Sequence, residues 1–316
     1  MKKTFFLLTM LLQVLGLSTQ TSITFVPQWS PQAQFAGYYM ALEKGYYAEE
    51  GLDVTIEHIG VNSSEGHLER LMKGNAQIVG QQLMQSIIAR SKGAPIVNVM
   101  QLTQVSGLCC VSHNPLETVE NLDGLRIGKW KAGYSEFCDM MEVYKKIKID
   151  WVPFVNSGTN LYVFGAVDAT LCYTYSELIS LKLAIGDIPE ENVLHFSDFG
   201  FDCPEDGLYV TEKYYEKNKS TVDAFVRASK KGWEYAHEHR DEALALTLRY
   251  CRENNIVTNE AHQSMMLDEY LKLQENPASG AVDFSPVSEE IFQNILDALE
   301  YTGYITDKPD YNDFLR

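Results

Sequence analysis

Residues 29–39 read WSPQAQFAGYY, gathering Trp29, Gln32, Gln34, Phe35, Tyr38 and Tyr39 around what reads as the entrance of a helix. Aromatic faces beside amides suit the stacking of a flat molecule and hydrogen bonding to its polar edge. Phe35 and Leu42 fit an ordinary core stripe. Trp29, ahead of the helix, and Gln34 and Tyr38 within it are the candidates to meet a ligand. A second amide group, Gln81, Gln82 and Gln85, follows Gly80. Adjacent amides are expensive to bury without hydrogen bonds, so Gln81 and Gln82 suit a polar, neutral ligand. The structural alternative is an exposed helix start.

Three further stretches carry similar chemistry. In WKAGYSE (130–136), Trp130 offers a ring, while Tyr134 and Ser135 open a helix whose N–H groups could face a ligand; NSGTN (156–160) is a weaker loop of the same kind. In YTYSE (173–177), Tyr173 and Tyr175 could stack or donate hydroxyls, with Glu177 beside them; a carboxylate in a first helical turn is also favoured by the helix dipole alone. In PEDG (204–207), Glu205 and Asp206 are either a solvated turn or acceptors for an amine or ring N–H. None of these positions is Lys or Arg, which a sulfonate or nitrate site would call for. Catalysis finds less support, since His58, His67 and His113 have no evident nucleophile or carboxylate partner in the sequence.

The elements that must position these residues alternate along the chain. Strands are expected at 22–28, 52–59, 76–80 and 94–104, then at LCCVS, LRIGKW, IDWVPF, 167–173, 192–197 and 207–211. The helix after the first strand reads as capped by Ser30, with Pro31 at its first position and Gly45 as its stop. Asn62-x-x-Glu65 resembles a capping box before a short helix that Gly74 ends. Other helices are expected to about Lys92, over 135–146, and through most of the chain from Glu212. Such alternation indicates α/β architecture with mainly parallel sheets, whose ligands collect beyond the carboxyl ends of the strands. Trp29 to Gln34 stand at such an end. If there are two lobes, the chain passes between them near 105–110 and 200–207.

Of 316 residues, 45% are hydrophobic, and the formal net charge is −17. That is globular composition with an acidic surface, which disfavours nucleic acid and anionic membranes as partners. The first twenty residues, with Lys2 and Lys3 before an apolar run from Phe5 to Leu17, have the layout of a cleaved export signal. No other stretch is apolar enough to span a bilayer. Six cysteines without C-x-x-C or zinc spacing read as buried thiols, with a bond from Cys109 or Cys110 to Cys203 as the alternative.

QFAGYYMALEKGYYAEEGLDVTI, GNAQIVGQQLMQSIIARSKGAPIVNV, LDGLRIGKW, GAVDATLCYTYSEL and EDGLYVTEKYYEKN together resemble the solute-binding proteins of the NMT1/THI5-like family. The likeness runs from about 22 to 235. It implies the type II periplasmic-binding-protein fold, two α/β lobes around a ligand cleft, with lobe 1 over 21–105 plus 207–316, lobe 2 over 106–206, and 1–20 a signal peptide. It also places YTYSE at the cleft and PEDG at its hinge side. The implied function is periplasmic capture of a small solute by lobe closure, as a monomer without cofactor, for delivery to an ABC-importer permease. Rings with acceptors at the candidate positions favour an aminopyrimidine related to the thiamine precursor over a sulfonate or nitrate. One branch of the family consists of pyrimidine synthases, which use a Lys and a His four residues apart. The matching positions here are Gln81 and Gln85, which can neither form a Schiff base nor supply an imidazole. An exported enzyme and a sensory module using the same cleft remain the alternative readings.

Overall fold

The structure is a computed structural model that describes residues 20–60, 63, 65–131, 135–155 and 157–316. The expected export signal lies outside the described residues, as do Asn62, Tyr134 and Asn156. Ten strands are described: β1 (Thr21–Val26), β2 (Leu52–Ile56), β3 (Ile78–Gln82), β4 (Ile96–Gln101), β5 (Leu108–Ser112), β6 (Arg126–Trp130), β7 (Asp150–Phe154), β8 (Ala169–Tyr173), β9 (Val193–His195) and β10 (Asp206–Thr211). The helices are α1 (Ala36–Glu43), α2 (Tyr46–Glu49), α3 (His67–Lys73), α4 (Leu83–Ser91), α5 (Ser135–Lys145), α6 (Thr159–Val163), α7 (Glu177–Ile185), α8 (Glu212–Glu238), α9 (Arg240–Glu253), α10 (Glu260–Lys272), α11 (Glu289–Tyr301) and α12 (Tyr311–Phe314).

The strands form two five-stranded sheets, ordered β2-β1-β3-β10-β4 and β7-β6-β8-β5-β9. The plan is the same in both. Three parallel strands are followed by one antiparallel strand and then an outer strand, so four of the five run one way. In each sheet the antiparallel strand is the first that the chain lays down after crossing over. A strand running against its neighbours starts where they end. Asp206 thus pairs with Gln82 at the end of β3, and Leu108 pairs with Tyr173 at the end of β8. Both crossings therefore deliver their first residues to the edge where ligands collect.

The start of the first helix departs from its local signal. Ser30 and Pro31 do not start a helix: 29–32 is a bend, Ala33–Phe35 is a 3-10 turn, and α1 begins at Ala36. The reason is tertiary, because the N–H of Ala33 is taken by the side chain of Gln263, 230 residues away, at 2.7 Å. The short helix α3 follows Gly66 and ends as expected at Gly74, whose φ is 78°.

Helices α1 and α8 pack closely because Gly37 has no side chain: a Cβ there would lie 2.1 Å from the buried ring of Trp233. All six cysteines are free thiols and only Cys203 is not fully buried. Cys109 faces Cys172 across β5 and β8, not Cys203. Among the described residues no helix is long and apolar enough to cross a membrane.

Candidate ligand-binding cleft

The lobe around the first sheet brings the ends of β1, β3 and β10 together. Gly80 lets Gln28 lie across β3, since a Cβ there would stand 2.3 Å from Gln28 Oε1. Gln34 is buried, and its amide donates to Asp206 Oδ2 at 2.6 Å. The same oxygen accepts the hydroxyl of Tyr270 at 2.5 Å. Asp206 is thus satisfied from within the protein, beneath the cleft surface. Burial raises its pKa, opposed by these hydrogen bonds.

Glu205 is the more accessible chemically. It borders a narrow cavity of about 370 Å³, solvent-open space included, together with Gln82, Gln85, Ser106, Phe137 and Tyr173. Its Oε1 accepts Ser106 Oγ at 2.6 Å and the N–H of Gly107 at 3.1 Å. Burial pushes this carboxyl up to about 8, so below that pH it is a neutral acid with a hydroxyl to donate and a carbonyl to accept. No Lys or Arg is among the described residues bordering the cavity.

The opposite lobe supplies rings. Tyr173 and Tyr175 stack with centroids 5.0 Å apart and planes 22° from parallel. Alternation in a strand would send them to one face, and the turn after β8 keeps that pairing. Trp130 leans on Tyr173 at 5.5 Å and on Phe154 at 5.3 Å. Glu177 accepts the N–H of Tyr173 at 3.1 Å, and burial raises its pKa to about 7. The lobes touch directly: Gln82 Nε2 donates to Tyr173 Oη at 3.0 Å, Gln85 Nε2 to Glu136 at 3.3 Å, and Gln34 reaches Tyr175 Oη at 3.5 Å.

The remaining sequence candidates are placed as follows. Trp29 is 41% exposed at the end of β1, and its carbonyl accepts Nδ1–H of His58 at 2.7 Å. Since a carbonyl only accepts, Nε2 of the neutral ring is the acceptor for Tyr39 Oη at 2.9 Å. Burial lowers the His58 pKa to about 4, which keeps this tautomer. Gln81 is turned toward α3, its Oε1 accepting from His67 at 2.9 Å and from the N–H of Gln82. Tyr38 lies in the core, 4.7 Å from Phe25 and 5.5 Å from Trp233, because its helical face turns to β1 and α8. Ser135 starts α5 and is exposed; Tyr134 lies outside the described residues. Ser106, Phe137 and Tyr270 were missed. Ser106 stands in the expected crossing region, but nothing local marks Phe137 or Tyr270 as different from core aromatics.

A model of the family described as "NMT1/THI5 like" matches residues 32–243. The riboflavin-binding protein RibY of Chloroflexus aurantiacus is 27% identical, over 82% of this chain and 74% of that protein. The formylaminopyrimidine-binding protein of Halalkalibacterium halodurans is 28% identical, over 87% of this chain and 88% of that protein. The periplasmic aliphatic sulphonate binding protein SsuA of Escherichia coli superposes with a TM-score of 0.68 at 14% identity, covering 93% of this chain and 92% of that one, a likeness of fold.

Proposed function

The chain belongs to the NMT1/THI5-like family, and from that premise we propose that it is the exported solute-binding protein of an ABC importer, capturing an aminopyrimidine-like solute between its lobes. The observation that carries this reading is the composition of the cavity wall. Tyr173, Phe137, the amide of Gln82 and the buried Glu205 border a space with no described Lys or Arg, and the rings of Tyr175 and Trp130 pack against Tyr173. Rings hold a flat heterocycle by stacking, while a carboxyl that both donates and accepts matches a ring nitrogen next to an exocyclic amine. An anionic sulfonate or nitrate finds no cation there.

Binding rather than turnover is the reading that the residues support. The positions that match the synthases' Lys and His are Gln81 and Gln85. Gln81 is bonded to His67, and Gln85 to Glu136 across the cleft. His58 is held between the carbonyl of Trp29 and the hydroxyl of Tyr39. Capture would proceed by closure of one lobe on the other, with the solute handed to a permease.

A flavin is the second reading, favoured by the aromatic stack and by the name of the RibY relative. The cavity is narrow, about 370 Å³ only when solvent-open space is included, which favours the smaller, single-ring solute. Isothermal titration with formylaminopyrimidine, riboflavin and an aliphatic sulfonate tests the proposal. Binding of the first at roughly micromolar Kd or tighter is expected. Preference for the sulfonate would overturn the ligand class, and turnover of the bound pyrimidine would overturn the binding-only reading.

A further inference from the structure

Helix α10 lies beyond residue 243, where the family match ends, and nothing in its own sequence marks it as part of a site. Yet its contacts reach residues of both lobes beside the cleft. Gln263 Oε1 takes the N–H of Ala33 at the helix entrance that carries Gln34. One heptad on, on the same face, Tyr270 donates to Asp206 Oδ2 at 2.5 Å and sets its ring edge against Tyr175 at 5.1 Å. His262 reaches the other lobe, its Nε2 lying 3.3 Å from Ser176 O and 3.1 Å from Ser180 Oγ. A carbonyl only accepts, so the tautomer that serves Ser176 carries its proton on Nε2. The loop 173–177, which bears both stacked tyrosines, is therefore held on one side by its own sheet and on the other by α10.

We infer that α10 braces the cleft from behind, with Tyr270 and His262 as positioning residues that hold the Tyr173–Glu177 loop against Gln34 and Gln82. Neither side chain borders the cavity; they act through Tyr175, Ser176 and Asp206. The two attachments are independent in chemistry, one a hydroxyl-to-carboxylate bond with a ring contact, the other an imidazole bond to a backbone carbonyl. The inference rests on the reading of this cleft as a solute site, but not on which solute it takes.

Amide hydrogen exchange of the full chain, without added solute, tests it in three variants: Tyr270→Phe, His262→Ala and His262→Gln. The first keeps the ring and removes only the hydroxyl; the last restores a donor near Ser176 O. Exchange in the segment 173–181 should rise about fivefold or more in His262→Ala, which loses the bond to Ser176 O, and in Tyr270→Phe, which frees the ring against Tyr175 from its anchor on Asp206. The β1 peptide should be unchanged, and His262→Gln should return the segment toward the parent rate. Dissociation of formylaminopyrimidine should quicken in the same two variants. No rise in 173–181, or an equal rise in β1, overturns the inference, and a variant without effect removes its residue from the assignment. If the parent protein does not bind formylaminopyrimidine at all, that counts against the proposed solute alone, because the exchange measurement decides the role of α10 without it.

Discussion

Gln34 and Asp206 stand 172 positions apart in the chain and 2.6 Å apart in the fold, the amide of one donating to the carboxylate of the other. Two residues that each looked like a ligand contact thus satisfy one another, and Tyr270 completes the arrangement. The carboxyl left facing the cavity is that of Glu205.

Replacing Asp206 by Ala should leave two buried donors, Gln34 and Tyr270, without an acceptor. The expected loss is about 2–4 kcal/mol of folding stability, with Asp206→Asn losing less. Chemical denaturation of the two variants against the parent measures it; a loss no larger than that of an exposed Asp→Ala change would contradict the buried arrangement.

Stability should fall as pH rises through the range set by Glu205. Its folded pKa, about 8, lies above the ordinary carboxyl value of 4.5, so the folded protein binds the proton more tightly than the unfolded chain. The stabilisation is complete below about 4.5 and is lost as pH rises through 8, a change on the order of a few kcal/mol. Denaturation midpoints between pH 5 and 9 should decline in the parent, and the decline should flatten in Glu205→Gln.

His58 should show the opposite sign. Its neutral ring is favoured in the fold, with a pKa of about 4 against 6.5, so the unfolded chain takes up the proton first as pH falls. The contribution is present above 6.5 and lost as pH falls through 4. Proton NMR titration should find the His58 ring uncharged at pH 5.5, and a midpoint near 6.5 would refute the bridge from Trp29 O to Tyr39.

Trp130→Ala should weaken formylaminopyrimidine binding by about tenfold or more, the scale of a lost stacking contact plus its buried area. Fold and thermal midpoint should change less, since the ring is only partly buried. Titration calorimetry with circular dichroism as the control separates the two effects.

Gly37→Ala places a methyl 2.1 Å from a Trp233 ring atom, between two backbones that cannot separate without opening the core. A loss of about 1–3 kcal/mol or more is expected. An unchanged thermal midpoint would mean that α1 and α8 are not in this contact.

The order of strands and helices was legible because it rests on local chemistry. Alternation marked the strands and Gly74 stopped α3, while the expected strands 94–104 and 192–197 are shorter in the fold, Ile96–Gln101 and Val193–His195. The start of α1 was not legible, because Ser30 and Pro31 are a sound local signal overridden by the bond from Ala33 to Gln263. The site was legible by type and not by role. Gln82, Tyr173 and Glu205 border one cavity and Tyr175 stacks on Tyr173, residues of the types that the strand ends offered. Tyr38 turned into the core, because a tyrosine on a helix has the same spacing whether its face meets β1 or a ligand.

By itself, then, the sequence determined the α/β alternation and the strand ends where polar and aromatic residues collect, with neither Lys nor Arg among the candidate positions. Only the tertiary structure decided which carboxylate faces the cavity, which amide is already paired, and that α10 packs against the loop 173–177. The physical reason is range. Periodicity and capping are settled among neighbours, whereas these pairings depend on strand order and register, which bring together side chains 64 to 172 residues apart.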